Sequence, residues 1–180
     1  SPATTARLLD ILREKNAKAT FFVVGTMAQR SPDLLRREEA EGHEVGSHTM
    51  AHTSFATMDA AATQSEMGAI NEVFQGSLGH PVNFVRPPYG SLSQVAMDNV
   101  GKPLILWTVD PLDWKYRDVA SVRQRAVADS FDGAVILLHD IHSTTVDAVA
   151  GIIDDLRAQG YEFLTISEMA RARGVTMTGG

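Results

Sequence analysis

The chain contains no cysteine, which excludes disulfides and thiol chemistry but leaves the compartment open, because secreted proteins without disulfides are common enough in bacteria. No apolar run approaches the roughly 20 residues that a membrane-spanning helix requires. The N-terminus lacks the basic-then-apolar pattern of a signal peptide, so any export signal is expected to have been removed or never to have existed. Positive charge is also short. Sixteen Lys and Arg stand against 22 Asp and Glu, a formal charge of -6, which repels phosphate backbones and anionic lipid and argues against nucleic acid or a membrane surface as partner. A neutral substrate such as a sugar polymer fits better. Low-complexity tracts, internal repeats and linkers are absent as well. With 180 residues, 44% of them hydrophobic, one globular domain spanning residues 1–180 is expected.

What is present is an alternation of short apolar runs with amphipathic stretches, the pattern of repeated strand and helix units around a mostly parallel sheet. Six strands are expected: Ala19 to Val24, His43 to Gly46, Asn83 to Arg86, Leu104 to Val109, Ala134 to His139, and Glu162 to Thr165. Helices are expected over Thr4 to Lys15, from Ser31-Pro32-Asp33 to Gly42, and over Asp59 to Phe74, Ser91 to Val100, Asp118 to Ser130, Thr145 to Gln159 and Ser167 to Arg173. Gly174 to Gly180 reads as a frayed tail. Consecutive parallel strands need right-handed helical crossovers, so the expected architecture is α/β, a small or incomplete barrel of strands within helices; an open doubly wound sheet is the alternative. Either architecture binds ligands at the carboxyl ends of its strands.

Four polar clusters stand at or near such ends. In Ser47-His48-Thr49-Met50-Ala51-His52, the two imidazoles His48 and His52 have the spacing that puts side chains on one face of a helix. Two neutral imidazoles converging on a point make half of a divalent metal site, which needs a carboxylate and open positions to become hydrolytic. The bland reading is a solvated helix face or a capped loop. His43 reads as a strand residue. Arg86-Pro87-Pro88-Tyr89-Gly90 joins a fork-shaped donor to a stiffened turn whose amides are held still, as an oxyanion requires; otherwise it is an ordinary proline-rich loop. In Asp110-Pro111-Leu112-Asp113-Trp114 the acids are either orienting carboxylates or a surface turn, and Trp114 either core or sugar-stacking wall. In Leu137-Leu138-His139-Asp140 a histidine ends an apolar strand, and a carboxylate contact favours the imidazolium that a general acid needs. His142 ranks below His139 for that role.

Taken together and in this order, the clusters resemble those of the polysaccharide deacetylases, the NodB homology domain of carbohydrate esterase family four. His48 to His52 fits the family's His-Ser/Thr-X-X-His motif, Arg86 to Gly90 its Arg-Pro-Pro-Tyr-Gly motif, Asp110 to Trp114 its Asp-X-X-Asp-Trp motif, and Leu137 to Asp140 its Leu-Leu-His-Asp motif. The resemblance covers essentially the whole chain. It implies a distorted (β/α) barrel and a metal-dependent hydrolase that removes acetyl groups from a polysaccharide, either an N-acetylglucosamine polymer such as chitooligosaccharide or peptidoglycan, or acetylxylan. By the same resemblance His48 and His52 are metal ligands, for zinc in the first place and for cobalt or another first-row ion as alternatives. His139 is the general acid, Asp113 the carboxylate that tunes it, with Asp110 the rival candidate, and Arg86 orients the catalytic base. The Tyr89 amide helps hold the oxyanion, while Trp114 and Leu137 wall the acetyl pocket. A monomer that is secreted or associated with the cell wall is expected.

One departure qualifies that expectation. The family's first motif, Thr-Phe-Asp-Asp-Gly-Pro, supplies the base and the carboxylate ligand from the end of the first strand, and this sequence opens at Ser1-Pro2, where that motif would have finished. Asp10 is no substitute, lying inside an amphipathic helix about a turn or more from the strand end. The first strand of the barrel is missing too. A truncated or processed chain is favoured over natural loss, because the other motifs are intact. The 180 residues alone are expected to be a weak or inactive deacetylase. The alternative function is a non-catalytic carbohydrate-binding protein that keeps the groove, with Trp114 and Tyr89 as stacking platforms.

Overall fold

The structure, a computed structural model, describes residues 1–179. Of the tail expected from Gly174 to Gly180, Gly180 lies outside the described residues. The chain divides into two compact units, one formed by residues 1–19 with 107–165 and the other by residues 20–106 with 166–180.

The first unit holds three helices: α1 (Pro2–Glu14), α6 (Val119–Ala128) and α7 (Ser143–Ala158). Pro2 stands in the first turn of α1, where its missing N–H costs nothing, and Asp118 caps α6 by accepting the Ser121 N–H at 2.8 Å. Along α7 the buried residues Val146, Val149, Ile152, Ile153 and Leu156 recur at helical spacing and form one apolar stripe. Ala148, Ile152 and Leu156 meet Val122 and Ala126 of α6, and Ile136, Leu138, Tyr161 and Phe163 pack on this core. Polar contacts tie α1 to α7: Arg7 pairs with Asp147, Lys15 with Asp154 at 2.7 Å, and Arg157 donates to the Lys15 and Asn16 carbonyls. One parallel bridge, Val109 to Ile136, joins the two inner chain segments.

The second unit holds α2 (Gly25–Arg30), α3 (Pro32–Ala40), α4 (Ala60–Leu78), α5 (Gln94–Val100) and α8 (Ile166–Ala172) around the parallel pair β1 (Thr20–Val23) and β2 (Glu44–Ser47). The register runs from Thr20 opposite Glu44 to Val23 opposite Ser47. Single-rung bridges continue the sheet from Ser47 to Val85 and from Val85 to Leu104. Asp59 and Ser93 cap α4 and α5 through side-chain oxygens at 2.8 and 3.1 Å. Beneath them Phe55, Ile70, Phe74, Val82 and Val85 form a dry core.

Four of the six expected strands are thus shorter than the apolar runs suggest. Asn83 to Arg86, Leu104 to Val109 and Ala134 to His139 contribute isolated bridges, and Glu162 to Thr165 forms no strand or bridge among the described residues. Proline supplies the reason for two of them: Pro87 follows Arg86, while Pro103 and Pro111 bracket the Leu104 to Asp110 segment, and a residue without an N–H cannot extend a ladder. The short helix α2 was not expected from the sequence.

Gly46 shows how tightly β2 is held. A Cβ at this position would lie 2.5 Å from the Phe84 ring and 2.9 Å from Phe22, so glycine is required by close approach. Gly46→Ala is therefore expected to destabilise the protein by about 1–3 kcal/mol through overpacking. A urea midpoint equal to wild type would show that the two rings can retreat.

Candidate functional site

The histidine pair leaves the carboxyl end of β2. His48 continues the pairing for one more residue, donating its N–H to Val23 O at 2.8 Å. The chain then turns through two left-handed residues, Thr49 at φ 64° and His52 at φ 60°. This turn, and not a helix face, brings the His48 and His52 rings to a centroid distance of 4.8 Å, which corrects the helical reading of their spacing. The physical reason lies in where the backbone groups bond. Ser47 Oγ accepts the Thr49 N–H and the Glu66 carboxylate accepts the Met50 N–H, while the Thr49 and Met50 carbonyls accept the Gly25 and Thr26 N–H groups that open α2. None of those groups remains for a helical ladder.

His48 Nδ1 lies 2.7 Å from the Arg86 carbonyl. An oxygen there requires Nδ1 to carry the proton, which leaves the lone pair on Nε2, the arrangement usual in metal-ligating imidazoles. The His52 ring rests edge-on against Tyr89, with centroids 4.8 Å apart. Thr49 adds two costs. It is a β-branched residue at positive φ, and its fully buried hydroxyl finds no hydrogen-bond partner among the described residues. Each costs on the order of 1–3 kcal/mol, and such costs collect where a loop must hold a ligand. The donor chemistry of His48 and His52 fits a divalent first-row cation. They supply part of a coordination set, since among the described residues no group of three His, Cys, Asp or Glu side chains assembles.

Arg86 is buried, with its guanidinium 4.1 Å above the Phe22 ring and donating to the Ile105 and Leu106 carbonyls at 3.2 and 2.9 Å. Burial pushes it down to about 10, so it stays cationic at neutral pH. Past the two prolines, Tyr89 takes φ 61° and turns the chain, and the residue is 70% exposed. The turn is closed by the Gly90 and Ser91 N–H groups on the Pro87 and Pro88 carbonyls, bonds that leave the Tyr89 N–H out.

In the other unit, Asp113 is fully buried and accepts three hydrogen bonds. Its Oδ2 takes the His139 N–H at 2.7 Å and the Thr145 hydroxyl at 2.8 Å, while Oδ1 lies 2.8 Å from His139 Nδ1. Burial by itself would push the Asp113 carboxyl up, yet these bonds and the His139 charge hold it below the usual carboxylate range. Asp110 is spent otherwise: its Oδ1 accepts the Leu112 N–H at 2.9 Å and shapes the turn in which Leu112 adopts φ 57°. Of the two acids only Asp113 reaches His139 in the bonds described. Trp114 is 52% exposed and Leu137 is buried. The His142 ring stands 6.4 Å from that of His139, and burial together with the Arg117 charge pushes it down, favouring neutral imidazole. His43 is buried against Phe21 and lies one residue before β2, outside the strand it was expected to begin.

Two residues here were not singled out from the sequence. Glu66 gives no local signal, lying within α4 and acting on a loop far away in sequence. Thr145 did leave one, as a polar residue on the buried stripe of α7.

The polysaccharide deacetylase family model matches residues 1–102, and the chain belongs to that family. It is 37% identical over 169 residues to the peptidoglycan-N-acetylglucosamine deacetylase PgdA of Listeria monocytogenes, covering 94% of this chain and 36% of that protein. The chain thus spans about a third of the length of this curated relative. Among solved structures, the peptidoglycan deacetylase PdaC of Bacillus subtilis is similar at a TM-score of 0.92 and 34% identity, covering 97% of this chain and 86% of that one. A family 4 acetyl xylan esterase of Clostridium thermocellum, in complex with a cobalt ion, is similar at 0.94 and 30% identity, covering 99% of this chain and 89% of that one. The fold class is therefore the α/β fold of the polysaccharide deacetylases, the one the motifs implied.

The state of Asp113 has a pH consequence. Its carboxyl is held below its unfolded value, so its contribution to stability is complete above the unfolded value of about 4 and is lost as pH falls through the folded one. Asp113→Asn is expected to lower the urea midpoint at pH 7, with the gap to wild type narrowing as pH falls below about 4. A gap independent of pH would contradict this.

Proposed function

We propose that this chain is the catalytic domain of a metal-dependent deacetylase acting on an acetylated sugar polymer, with the N-acetylglucosamine units of peptidoglycan or chitooligosaccharide ahead of acetylxylan. The observation that carries the reading is the His139 imidazole, one third exposed, whose Nδ1 is bonded to the fully buried Asp113 carboxylate. A buried carboxylate that orients a solvent-reaching imidazole is costly to maintain and suits proton transfer, not mere sugar binding. The peptidoglycan relatives support the substrate class, and the net charge of -6 is compatible with a largely neutral polymer.

His48 and His52 hold the cation, zinc in this proposal, with cobalt as the alternative suggested by the esterase complex. When bound, the cation supplies Lewis-acid polarisation of the acetyl carbonyl and activation of the attacking water. The Arg86 carbonyl fixes the ligating tautomer of His48, and the Arg86 guanidinium is a cation suited to orienting a carboxylate base. The Tyr89 N–H, held still by the proline turn, donates to the developing oxyanion. Trp114 and Leu137 wall the acetyl group. As the carbonyl carbon takes the water oxygen, the water's proton passes to the carboxylate base that Arg86 would orient; the carbon's bond to the sugar nitrogen or oxygen then breaks, His139 Nε2 gives its proton to the departing amine or alcohol, and acetate is left. Asp113 stays ionised throughout, compensating the imidazolium. The protein acts as a monomer, outside the cell or at its wall.

A second reading keeps the groove and drops the chemistry. It draws on the exposure of the Tyr89 and Trp114 rings, which suits sugar stacking.

Acetate release by the natural full-length protein with added zinc, on chitooligosaccharide, peptidoglycan fragments and acetylxylan, separates the two. The enzyme reading expects turnover, a loss of about 10²–10⁴-fold in His139→Ala, and loss of bound metal in His48→Ala. Sugar affinity that persists in chelator, with no acetate released by wild type, would favour the binding module.

A further inference from the structure

The buried hydroxyl of Thr145 has no part in the roles assigned so far. Thr145 is the third residue of α7 and only 1% exposed. A hydroxyl so placed costs free energy unless it finds a partner, and its neighbour Thr144 shows the contrast, with a buried hydroxyl that bonds to nothing among the described residues. Thr145 Oγ1 instead lies 2.8 Å from Asp113 Oδ2. A carboxylate only accepts, so the hydroxyl must donate.

The other two donors to Asp113 both come from His139, its backbone N–H on Oδ2 and its Nδ1 on Oδ1. Bonds from one residue leave that residue and the carboxylate able to shift together. Thr145 is the attachment that comes from a different element, on the first turn of a helix of 16 residues whose positive end also favours the carboxylate. With Oδ2 held by two donors, the plane of the carboxylate is set and Oδ1 points at Nδ1. A proton on Oδ2 would face the His139 N–H, which can only donate, so the ionised form is favoured as well.

We propose that Thr145 is a positioning residue of the proton-transfer machinery: through its hydroxyl it locks the Asp113 carboxylate in the one orientation that aims His139 at the leaving group. The proposal rests on the deacetylase reading, and the test keeps the two apart.

Thr145→Val removes the hydroxyl at nearly constant volume, Thr145→Ser keeps it, and Thr145→Ala is a second hydroxyl-free variant should the valine not fold. In the natural full-length protein with zinc, the valine variant is expected to lose about 10- to 100-fold in kcat on chitooligosaccharide, the range typical of partners that orient a working side chain, with KM nearly unchanged. The serine variant recovers most of it. An aryl acetate, whose phenolate departs without needing a proton, should be cleaved at close to the wild-type rate by all variants. A merely structural role would depress both substrates alike. Independently of activity, the downfield Nδ1 proton of His139 in NMR spectra is expected in wild type and the serine variant and to shift or broaden in the valine and alanine variants. Equal losses on both substrates, failure of serine to rescue, or an unmoved Nδ1 resonance in the hydroxyl-free proteins would overturn the proposal. If wild type releases no acetate from any substrate, the deacetylase reading falls, and the resonance alone then decides whether Thr145 positions the pair.

Discussion

A fully buried carboxylate must be met by donors, and the three that meet Asp113 fix the chemistry of its unit. Ionised and unpaired, such a group would cost several kcal/mol; here each oxygen is engaged, by the His139 N–H and the Thr145 hydroxyl on one side and by His139 Nδ1 on the other. The consequence reaches into the fold. The segment ending at His139 and the first turn of α7 are fixed to one point, and the α6 to α7 core beneath holds that point still. Asp140, next in sequence, bonds the Thr5 hydroxyl of α1, so both acids beside His139 also serve as fasteners.

The second unit reaches order by a different route. Its histidine turn is made of backbone bonds to β1, to the start of α2 and to Glu66, and it accepts strain at Thr49 and His52. Strain of this kind persists only where the surroundings over-determine the conformation. They do so here: Gly25 lies against Met50, where a Cβ would crowd the sulfur and come within 3.2 Å of the Met50 Cα, and Arg86 serves twice, its carbonyl orienting His48 and its guanidinium bracing the chain at Ile105 and Leu106. The rigidity of the Arg-Pro-Pro-Tyr-Gly turn therefore bears on the imidazole as much as on the Tyr89 amide.

Much of this was legible in the sequence because the polar clusters interrupt apolar runs, and an interruption survives whatever the strand lengths are. The runs themselves overstated pairing, since periodicity does not register that Pro87, Pro103 and Pro111 remove the donors a ladder needs. The choice between Asp110 and Asp113 was not legible either. Both are acids in one short loop, and only the turn, with Asp110 accepting the Leu112 N–H, decides which remains to face His139. Glu66 and Thr145 act across long sequence separations, where local pattern carries little information beyond a polar residue in an apolar stripe.

The histidine pair shows that a spacing can point to the correct neighbours by the wrong geometry. Four residues apart suggested successive turns of a helix, yet a helix would place His48 and His52 on a rod with free rotamers and no link to the sheet. The turn instead hangs His48 from the end of β2 by its N–H to Val23 O and ties its ring to Arg86, so that the imidazole is fixed at both backbone and side chain. In the metal site proposed for this pair the nitrogens would need that fixation, because a cation binds to a constellation only as well as the constellation is held before it arrives. The strained turn costs stability, and the preorganised ring is the return that a helix could not have provided.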